Sequence, residues 1–395
     1  MISDVYFPRV NGVSTSIATF RHSLEEQGHS VCLVVPDYGT RPADDDSIIR
    51  IPSRHVFLDP EDRMMKAGAI LDLEDMLRKH NFDLLHIQTP FIAHRVGTRL
   101  AARLGLPVVE TYHTYFEEYL YHYVPFLPRR LMQAAARYFT REQCNRLDAV
   151  IVPSRAMHDV LRNYGVHTPL TIIPTGLEPQ SYQSYSKHSF REQHGIDADR
   201  PVMIHVGRVA HEKNISFLLD VLDSVRGVIP DVLLVIAGEG PARKSLRKET
   251  VEKGLVGNTM FIDYLPRGPA LWECYCGGDV FVFASSTETQ GLVLLEAMAL
   301  GVPVVSTARM GTQDILADGR GALVSDGTVP DFSEKVCAVL GRTGLRKQLA
   351  TEAREYALEW SAGKMALRLV DFYEQLAAHN AQMPALNNRD AAAAG

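Results

Sequence analysis

One short stretch, residues 280–303, constrains the fold of this chain more than any other. The apolar run Val280–Phe283 leads into the polar string S-T-E-T-Q-G. A helical pattern follows from Leu292 to Leu300, and Gly301 ends it before another apolar run begins. Strand, loop, helix and strand in this order predict an α/β fold with parallel strands, in which ligands bind at the carboxyl ends of the strands.

The loop and first helical turn of this stretch suit an electron-rich ligand. A helix N-terminus has unpaired N–H groups and a partial positive charge, which attract sugar or phosphate oxygens. Glu288 precedes the helix, and Glu296 follows eight residues later. Two carboxylates so spaced can hold two sets of hydroxyls on one extended ligand, although a solvated helix with an acidic residue before it would show the same pattern.

The full string from Ser286 to Pro303 resembles the signature of retaining glycosyltransferases of family 4, in which two glutamates stand eight residues apart around a glycine-rich turn. The resemblance implies that Glu288 holds the donor sugar near its third hydroxyl. It also implies that Glu296 holds the ribose hydroxyls. The other sugar hydroxyls are expected to meet a run of backbone N–H groups, those of Gln290, Gly291, Leu292 and Val293.

A second motif lies in a strand-to-helix turn. Gly207 and Arg208 end a predicted strand at residues 201–206, and Lys213 precedes a predicted helix. Two cations beside a glycine at such a junction can bind a diphosphate and stabilise the charge that grows on a leaving nucleotide, although two solvated surface cations would show the same pattern. The family pattern is similar, Gly-Arg and then Lys, so we predict that Arg208 and Lys213 bind the donor diphosphate.

The amino-terminal half shows the same alternation. A strand at residues 1–7, a loop, a helix to Gly28 and a strand at residues 31–36 form a Rossmann half. Gly12 follows the first turn, where the backbone can approach a phosphate of the donor closely, although a flexible turn would explain the same residue. Because the predicted first strand is central and starts almost at Met1, we expect the natural start to lie upstream.

His113 follows a predicted strand at residues 106–111, the position expected of a site residue. A neutral imidazole there can hydrogen-bond a sugar hydroxyl or a carbonyl, although a structural histidine is the alternative. Members of the family often have a histidine here that reaches the donor sugar, so we predict a catalytic role. The string T-Y-H-T-Y also resembles the branch of diacylglycerol glucosyltransferases and phosphatidylinositol mannosyltransferases.

Residues 112–139 are rich in aromatic side chains, and arginines accompany them. A basic, aromatic, amphipathic stretch is typical of a protein that lies on an anionic membrane. An ordinary helix with solvated arginines is the alternative, because acidic residues lie nearby. We predict acceptor or membrane contacts from four residues, Tyr112, Tyr115, Arg129 and Arg130.

Composition narrows the class of protein. The chain of 395 residues is 46% hydrophobic and 22% charged with a formal net charge of −6, as expected of a globular protein with two or three domains and no general affinity for nucleic acid. No apolar run approaches the roughly 18 residues of a spanning helix, and no leader peptide is visible. The five scattered cysteines favour reduced thiols. We expect a bacterial, cytoplasmic protein, at most peripheral at the inner face of the membrane.

Neither a metal ion nor another cofactor is expected. The donor loop has no paired aspartates of the kind that bind a metal with the diphosphate. Asp44–Asp46 could hold a divalent ion, but a solvated, irregular loop at residues 40–66 explains these residues better.

The resemblance covers nearly the whole chain and implies the GT-B architecture, two Rossmann-like domains that face each other across a cleft. The turn-rich string at residues 174–179 is the predicted connector. We assign residues 1–175, with a crossing helix at 361–379, to an acceptor domain and residues 176–360 to a nucleotide-sugar domain. The tail at 380–395 is predicted to be disordered.

The predicted reaction transfers a sugar from a nucleotide to an acceptor hydroxyl with retention at the anomeric carbon. The resemblance implies a same-face mechanism in which the leaving phosphate takes the acceptor's proton. UDP-glucose is the first candidate donor, with UDP-galactose, UDP-glucuronate and GDP-mannose open, and diacylglycerol is the expected acceptor. The alternatives are a soluble sugar, polysaccharide or lipid-linked glycan as acceptor, a UDP-sugar 2-epimerase, and a non-catalytic nucleotide-sugar binding module.

Overall fold

The computed structural model describes residues 1–39, 45–56, 59–115 and 129–382. The chain divides into two compact units, Met1–Gly176 with Ala362–Gly395, and Leu177–Ser361. The boundaries predicted from the sequence each differ from these by one residue. Most of the tail predicted to be disordered, residues 380–395, lies outside the described residues.

The first unit alternates helices and strands, as the pattern of its sequence predicts. Its helices are α1 (Gly12–Glu26), α2 (Ala67–Leu71), α3 (Glu74–His80), α4 (Ile92–Leu104), α5 (Arg129–Cys144), α6 (Arg155–Asn163) and α15 (Ala362–Gln382). Its strands are β1 (Leu33–Pro36), β2 (Ile48–Ile51), β3 (Ser53–Val56), β4 (Asp59–Met65), β5 (Leu85–Ile87), β6 (Val108–Thr111), β7 (Ala149–Val152) and β8 (Leu170–Ile172).

The main sheet of this unit is parallel and is joined through a single residue. Strands β1 and β2 form one part, and β5, β6, β7 and β8 form the other. Ile2 bridges both parts, because it pairs with Val34 on one side and with Ile87 on the other. The predicted strand at residues 1–7 is therefore reduced to this bridge, and the spatial order is β2, β1, Ile2, β5, β6, β7, β8.

The sequence prediction of an irregular loop at residues 40–66 is wrong for the described part of this segment. Strand β2 joins the sheet, and β3 and β4 form an antiparallel hairpin. Charged residues on both faces of the hairpin hide the alternation by which a half-buried strand is recognised. Asp45 pairs with the guanidinium of Arg21 and accepts hydrogen bonds from Ser47.

The second unit is a single parallel sheet with helices on both faces. Its helices are α7 (Lys187–Gln193), α8 (Ile215–Arg226), α9 (Arg243–Glu252), α10 (Pro269–Gly277), α11 (Leu292–Ala299), α12 (Thr312–Leu316), α13 (Val329–Gly341) and α14 (Thr343–Ala357). Its strands are β9 (Val202–Val206), β10 (Leu233–Ala237), β11 (Thr259–Ile262), β12 (Val280–Phe283), β13 (Val304–Ser306) and β14 (Ala322–Val324). The spatial order is β11, β10, β9, β12, β13, β14.

The central strands of the second unit are buried on both faces. Every residue of β9, β10 and β12 is buried, which explains why these strands read as unbroken apolar runs. Successive residues of β12 enter two different cores: Phe281 packs on one face of the sheet and Val282 on the other. The strand thereby holds the loop that follows it in a fixed position.

The last helix packs on the first unit, as the resemblance implies. Met365 and Leu369 of α15 lie one turn apart and are buried in a cluster with Phe20 of α1. Arg368 also donates a hydrogen bond of 2.6 Å from Nη2 to the carbonyl oxygen of Ile172.

Candidate active site

The carboxyl ends of β9 and β12 define a candidate site in the second unit. These two strands are neighbours in space, but β10 and β11 continue from β9 in one direction while β13 and β14 continue from β12 in the other. Open α/β sheets bind ligands outside the carboxyl ends of the strands at such a switch point. The loops that follow these two strands carry Arg208, Lys213 and Glu288.

Lys213 and Glu288 are in direct contact. Lys213 ends a 3₁₀ turn, His211–Lys213, that follows β9. Its ammonium group donates a hydrogen bond to Oε1 of Glu288 in the loop after β12. The two side chains are only 21% and 16% exposed, so the pair is screened less by water than an ordinary surface pair. The structure thus brings the predicted cation and carboxylate together.

Arg208 lies at the same edge of the sheet, and its side chain is exposed. A further contact joins the two loops, since Oγ of Ser285 donates to the carbonyl oxygen of Glu212 at 3.3 Å. The exposed guanidinium of Arg208 and the ammonium of Lys213, which Glu288 holds, give this edge of the sheet two cations, and two cations suit a diphosphate.

The loop after β12 turns sharply into α11. Gly291 caps this helix with a φ of +100°, which favours glycine because other residues have a Cβ that clashes in this region. Gln290 is buried, whereas Leu292 and Val293 in the first turn of the helix are half-buried. The predicted backbone contacts therefore lie at a helix N-terminus that follows a buried strand, where N–H groups lack partners within the helix.

The loop after β13 braces the loop that contains Glu288. The N–H of Gly311 donates to the carbonyl oxygen of Glu288 at 2.8 Å. A Cβ on Gly311 would lie 2.1 Å from the carbonyl oxygen of Thr289. Two neighbours, Ala308 and Met310, have φ angles of +46° and +53°, which residues other than glycine rarely adopt. Strain of this kind is typical of functional segments held in place by their surroundings.

Replacing Gly311 with alanine is expected to lower turnover by about 10- to 100-fold, because the new Cβ displaces the backbone on which Glu288 is held. Steady-state kinetics with the donor measures the loss. Gly344→Ala is the matched control, since a Cβ at Gly344 would meet nothing within 4 Å. Equal rates for Gly311→Ala and the wild type would show that this brace does not position the site.

Glu296 is buried on the inner side of α11 and is only 3% exposed. Its Oε1 accepts a hydrogen bond from Nη1 of Arg267 at 2.7 Å, and its Oε2 accepts one from the hydroxyl of Tyr275 at 2.7 Å. Neither partner is among the residues predicted from the sequence. One signal pointed to them, a glutamate in the otherwise apolar helix L-V-L-L-E-A-M-A, because a buried carboxylate requires a cation or hydrogen-bond donors.

In the first unit, His113 follows β6 at the carboxyl edge of that sheet. Its Nε2 lies 2.9 Å from Oε1 of Gln88, which follows the neighbouring strand β5. Although the side chain keeps some exposure, burial among its neighbours lowers the pKa of His113 to about 4. The imidazole is therefore neutral at physiological pH, as the predicted hydrogen bond to a sugar hydroxyl requires.

Asp4 lies beside this group, after the bridging residue Ile2. Its carboxylate accepts hydrogen bonds from Oγ1 of Thr89 at 2.8 Å and from the N–H of Ala93 at 3.0 Å. Burial raises the pKa of Asp4 to about 6 despite these donors. An acid that titrates close to neutral pH thus lies two residues after the bridging residue Ile2.

The raised pKa of Asp4 predicts a pH-dependent stability of the first unit. The pKa of Asp4 is higher in the folded protein than in the unfolded chain. The contribution of Asp4 to the free energy of unfolding is therefore complete below about pH 4 and is lost as the pH rises through 6. Relative to Asp4→Asn, the wild type should lose up to about 3 kcal/mol of unfolding free energy across this range, since each pKa unit is worth about 1.4 kcal/mol. Calorimetry of both proteins between pH 4 and 7 measures the difference; a constant difference would contradict the assignment.

Gly12 is the first residue of α1 and is exposed. Oδ1 of Asn11 caps the helix by accepting a hydrogen bond from the N–H of Ser14 at 2.9 Å. The structure thus places Gly12 at a helix N-terminus, the local geometry on which its predicted role depends.

The structure corrects the membrane prediction for Tyr112. Its side chain is only 3% exposed, and its hydroxyl lies 3.2 Å from Oγ1 of Thr140. The ring packs inside the first unit, so it does not present a surface to a membrane. Tyr115 is half-buried, Arg130 is exposed, and the side chain of Arg129 lies outside the described residues.

Helix α5 has an exposed face that is both apolar and basic. Four residues at helical spacing, Met132, Ala136, Thr140 and Cys144, are buried. Leu131, Tyr138 and Phe139 are 63%, 61% and 45% exposed. The guanidinium of Arg141 lies 5.3 Å from the centre of the Tyr138 ring. The aromatic segment before this helix, residues 116–128, lies outside the described residues.

Comparison with known sequences gives two family matches. The profile described as Glycosyltransferase Family 4 matches residues 10–181, and that described as Glycosyl transferases group 1 matches residues 186–356. The chain is 32% identical to the alpha-monoglucosyldiacylglycerol synthase of Streptococcus pneumoniae, over 80% of this chain and 73% of that protein. It is 30% identical to the protein of the same name from Acholeplasma laidlawii, over 77% and 79%.

Solved structures of similar fold include a synthase and a protein in complex with UDP. Sucrose-phosphate synthase from Thermosynechococcus elongatus matches with a TM-score of 0.74 and 20% identity, over 96% of this chain and 99% of that chain. HepE from Anabaena in complex with UDP matches with a TM-score of 0.73 and 17% identity, over 95% and 98%. With the two Rossmann-like units, these similarities define a GT-B glycosyltransferase. The chain belongs to glycosyltransferase family 4.

Proposed function

We propose that this glycosyltransferase transfers a hexose from a UDP-sugar, with UDP-glucose as the first candidate, to a hydroxyl of diacylglycerol in a membrane. The similarity to two alpha-monoglucosyldiacylglycerol synthases carries the proposal, because it extends over both units of the chain. The names of both relatives describe an alpha-monoglucosyl product, and transfer from an α-linked UDP-hexose to an α-linked product retains the anomeric configuration. Retention is therefore part of the proposal.

In the proposed reaction, the bond between the anomeric carbon and the β-phosphate oxygen breaks, and a bond to the acceptor oxygen forms on the same face. The leaving phosphate oxygen takes the proton of the acceptor hydroxyl. Lys213 and Arg208 stabilise the negative charge that develops on the diphosphate. Glu288 holds a sugar hydroxyl, and its contact with Lys213 fixes both groups at one edge of the sheet. Neutral His113, in the first unit, serves as a hydrogen-bond partner of a hydroxyl.

The proposed reaction needs no metal ion, because the two cations take the role that a divalent ion has elsewhere. Among the residues that the structure describes, no group of three or more His, Cys, Asp or Glu side chains is arranged to hold a metal. The proposal predicts that turnover is unchanged by EDTA. Loss of turnover with EDTA that returns on addition of Mg²⁺ would contradict it.

We also propose that α5 brings the protein to an anionic membrane. Its exposed Leu131, Tyr138 and Phe139 provide apolar area, and exposed Arg130 and Arg137 provide positive charge. Within the described ranges, no helix has the length and apolar character to cross a bilayer. Peripheral attachment would place a lipid-modifying enzyme beside its acceptor.

Flotation with vesicles tests the membrane proposal. Wild type is expected to float with vesicles that contain phosphatidylglycerol and less with vesicles of phosphatidylcholine alone. Exchange of Tyr138 and Phe139 for serine should reduce flotation, whereas exchange of Val228 and Val251, which are 71% and 65% exposed in the second unit, should not. Equal flotation of all three proteins would contradict a role for α5.

A panel of nucleotide sugars incubated with a lipid extract, read by mass spectrometry of the lipids, tests donor and acceptor together. When UDP-glucose is the donor, the expected product is a lipid that is heavier by one hexose. A second candidate donor is GDP-mannose, because the chain is 28% identical to a GDP-mannose-dependent alpha-mannosyltransferase of Mycolicibacterium smegmatis over 82% of its length. A product from GDP-mannose alone would replace the proposed donor, and no change in any lipid would contradict the acceptor.

A further inference from the structure

Arg267 lies in the loop after β11, at the same carboxyl edge of the sheet as Lys213 and Glu288. Its Nη1 donates to Oε1 of Glu296 at 2.7 Å. Its guanidinium lies 5.3 Å from the centre of the Trp272 ring, so the aromatic face supports the cation from one side. The side chain of Arg267 is 28% exposed, whereas that of Glu296 is only 4% exposed. The cation therefore stands between the buried carboxylate and the surface.

Tyr275 fixes the other oxygen of the same carboxylate. The phenol is fully buried and donates to Oε2 of Glu296 at 2.7 Å. Burial and the charge of Glu296 raise the pKa of Tyr275 well above its usual value, so the hydroxyl stays a donor at physiological pH. Both Trp272 and Tyr275 belong to α10, which begins two residues after Arg267. One loop and one helix thus hold Glu296 from two directions.

The two contacts leave part of Glu296 available. An ionised carboxylate has about four lone-pair sites, and Arg267 and Tyr275 occupy two of them. A pair of neighbouring hydroxyls, such as those of a ribose, donates two hydrogen bonds that fit the remaining sites. A carboxylate held at both oxygens cannot rotate, so its remaining acceptors have fixed directions, which favours one geometry of the diol.

We propose that Arg267 and Tyr275 are positioning residues that orient Glu296 toward the ribose hydroxyls of the donor nucleotide. The inference rests on the proposed nucleotide-sugar site and extends it to residues that do not belong to the glutamate signature. Its measurable consequence is discrimination between a ribonucleotide and its 2′-deoxy form, because only the former offers both hydroxyls to the oriented carboxylate.

Titration calorimetry with UDP and 2′-deoxy-UDP tests the inference. Wild type is expected to bind UDP about 10- to 100-fold more tightly, the range of one hydrogen bond to a charged group. Arg267→Met keeps an apolar side chain over Trp272 but removes the charge and the donors, and the ratio should fall at least threefold. Tyr275→Phe removes one hydroxyl without opening a cavity, so it folds even if Arg267→Met does not, and it should lower the ratio in the same direction.

Arg320→Met is the matched control. Arg320 also lies over an aromatic ring, 4.2 Å from the centre of Tyr356, and pairs with Glu359 at 2.9 Å. It precedes β14, at the amino ends of the strands, away from the proposed site. This variant should keep the wild-type ratio, although it loses the same kinds of contact.

The outcomes separate this inference from the function on which it rests. The positioning role is overturned if folded Tyr275→Phe and Arg267→Met prefer UDP over 2′-deoxy-UDP as strongly as the wild type does. It is also overturned if the wild type binds UDP and 2′-deoxy-UDP equally well. In both cases UDP binding itself stands. If UDP does not bind, GDP and 2′-deoxy-GDP are titrated in the same way. Failure of the wild type to bind either UDP or GDP overturns the proposed nucleotide site together with this inference.

Discussion

Replacing Lys213 with alanine is expected to lower turnover with the nucleotide-sugar donor by about 10²- to 10³-fold, the usual loss when one group that stabilises a developing negative charge is removed. The second unit should stay folded, because the contact of Lys213 with Glu288 joins two loops that buried strands already hold. Single-turnover rates measure the first effect. Intrinsic fluorescence measures the second, since both tryptophans, Trp272 and Trp360, belong to the second unit.

Two controls separate the diphosphate role of Lys213 from simple neutralisation of Glu288. Lys253→Ala removes a lysine that pairs with Asp220 at 2.6 Å on the surface of the same unit, and it should leave turnover unchanged. In a Glu288→Ala background, Lys213→Ala should still weaken the binding of UDP, which has no sugar for Glu288 to hold. If Lys213→Ala does not change the affinity for UDP when Glu288 is already alanine, Lys213 acts only through Glu288.

Replacing Asp279 with alanine is expected to destabilise the second unit by about 3–5 kcal/mol, the usual cost of leaving a buried cation without its partner. Asp279 precedes β12 and is 7% exposed. Its Oδ2 accepts from Nη2 of Arg191 at 2.9 Å and from the N–H of Val202 at 3.0 Å, and its Oδ1 accepts from Nζ of Lys187 at 2.6 Å. Arg191 is itself 1% exposed, so water cannot replace the lost carboxylate.

Urea unfolding followed by tryptophan fluorescence measures this loss. Asp223→Ala is the control, because Asp223 pairs with Arg226 at 2.6 Å on the surface and its removal should cost less than about 1 kcal/mol. Burial alone would raise the pKa of Asp279, but the hydrogen bond and charge of Lys187 bring it below its usual value. Its contribution is therefore complete at neutral pH and is lost as the pH falls below about 4. Similar midpoints for both variants would contradict the assignment.

The parts of the fold that depend on local pattern could be predicted from the sequence. The predicted apolar run Val280–Phe283 coincides with β12, and the helical pattern predicted from Leu292 to Leu300 ends one residue beyond α11. Gly291 and Gly301 mark the two ends of that helix, and the strand is an unbroken apolar run, so each boundary is marked by a residue type. The hairpin of β3 and β4 has no such marks, because its charged residues do not alternate with apolar ones.

The parts of the site that depend on tertiary contacts could not be predicted. Glu288 and Lys213 are far apart in the chain, and their contact follows from the neighbouring positions of β9 and β12. Arg267 and Glu296 are also far apart in the chain, and their ion pair joins the loop before α10 to α11, which no local pattern encodes. The sequence predicts that Tyr112 contacts the acceptor or a membrane, but its side chain is buried. An aromatic residue in a basic segment is as suitable for the core as for a membrane.

The proposed reaction transfers a hexose from a nucleotide to a lipid hydroxyl with retention. The most direct test follows UDP-glucose, labelled with carbon-13 at the anomeric carbon, by NMR in the presence of the protein and diacylglycerol vesicles. The labelled carbon is expected to appear as an α-glycoside of the lipid while an equal amount of UDP is released. A β-glycoside, an isomerised nucleotide sugar, or intact UDP-glucose after complete incubation would contradict it.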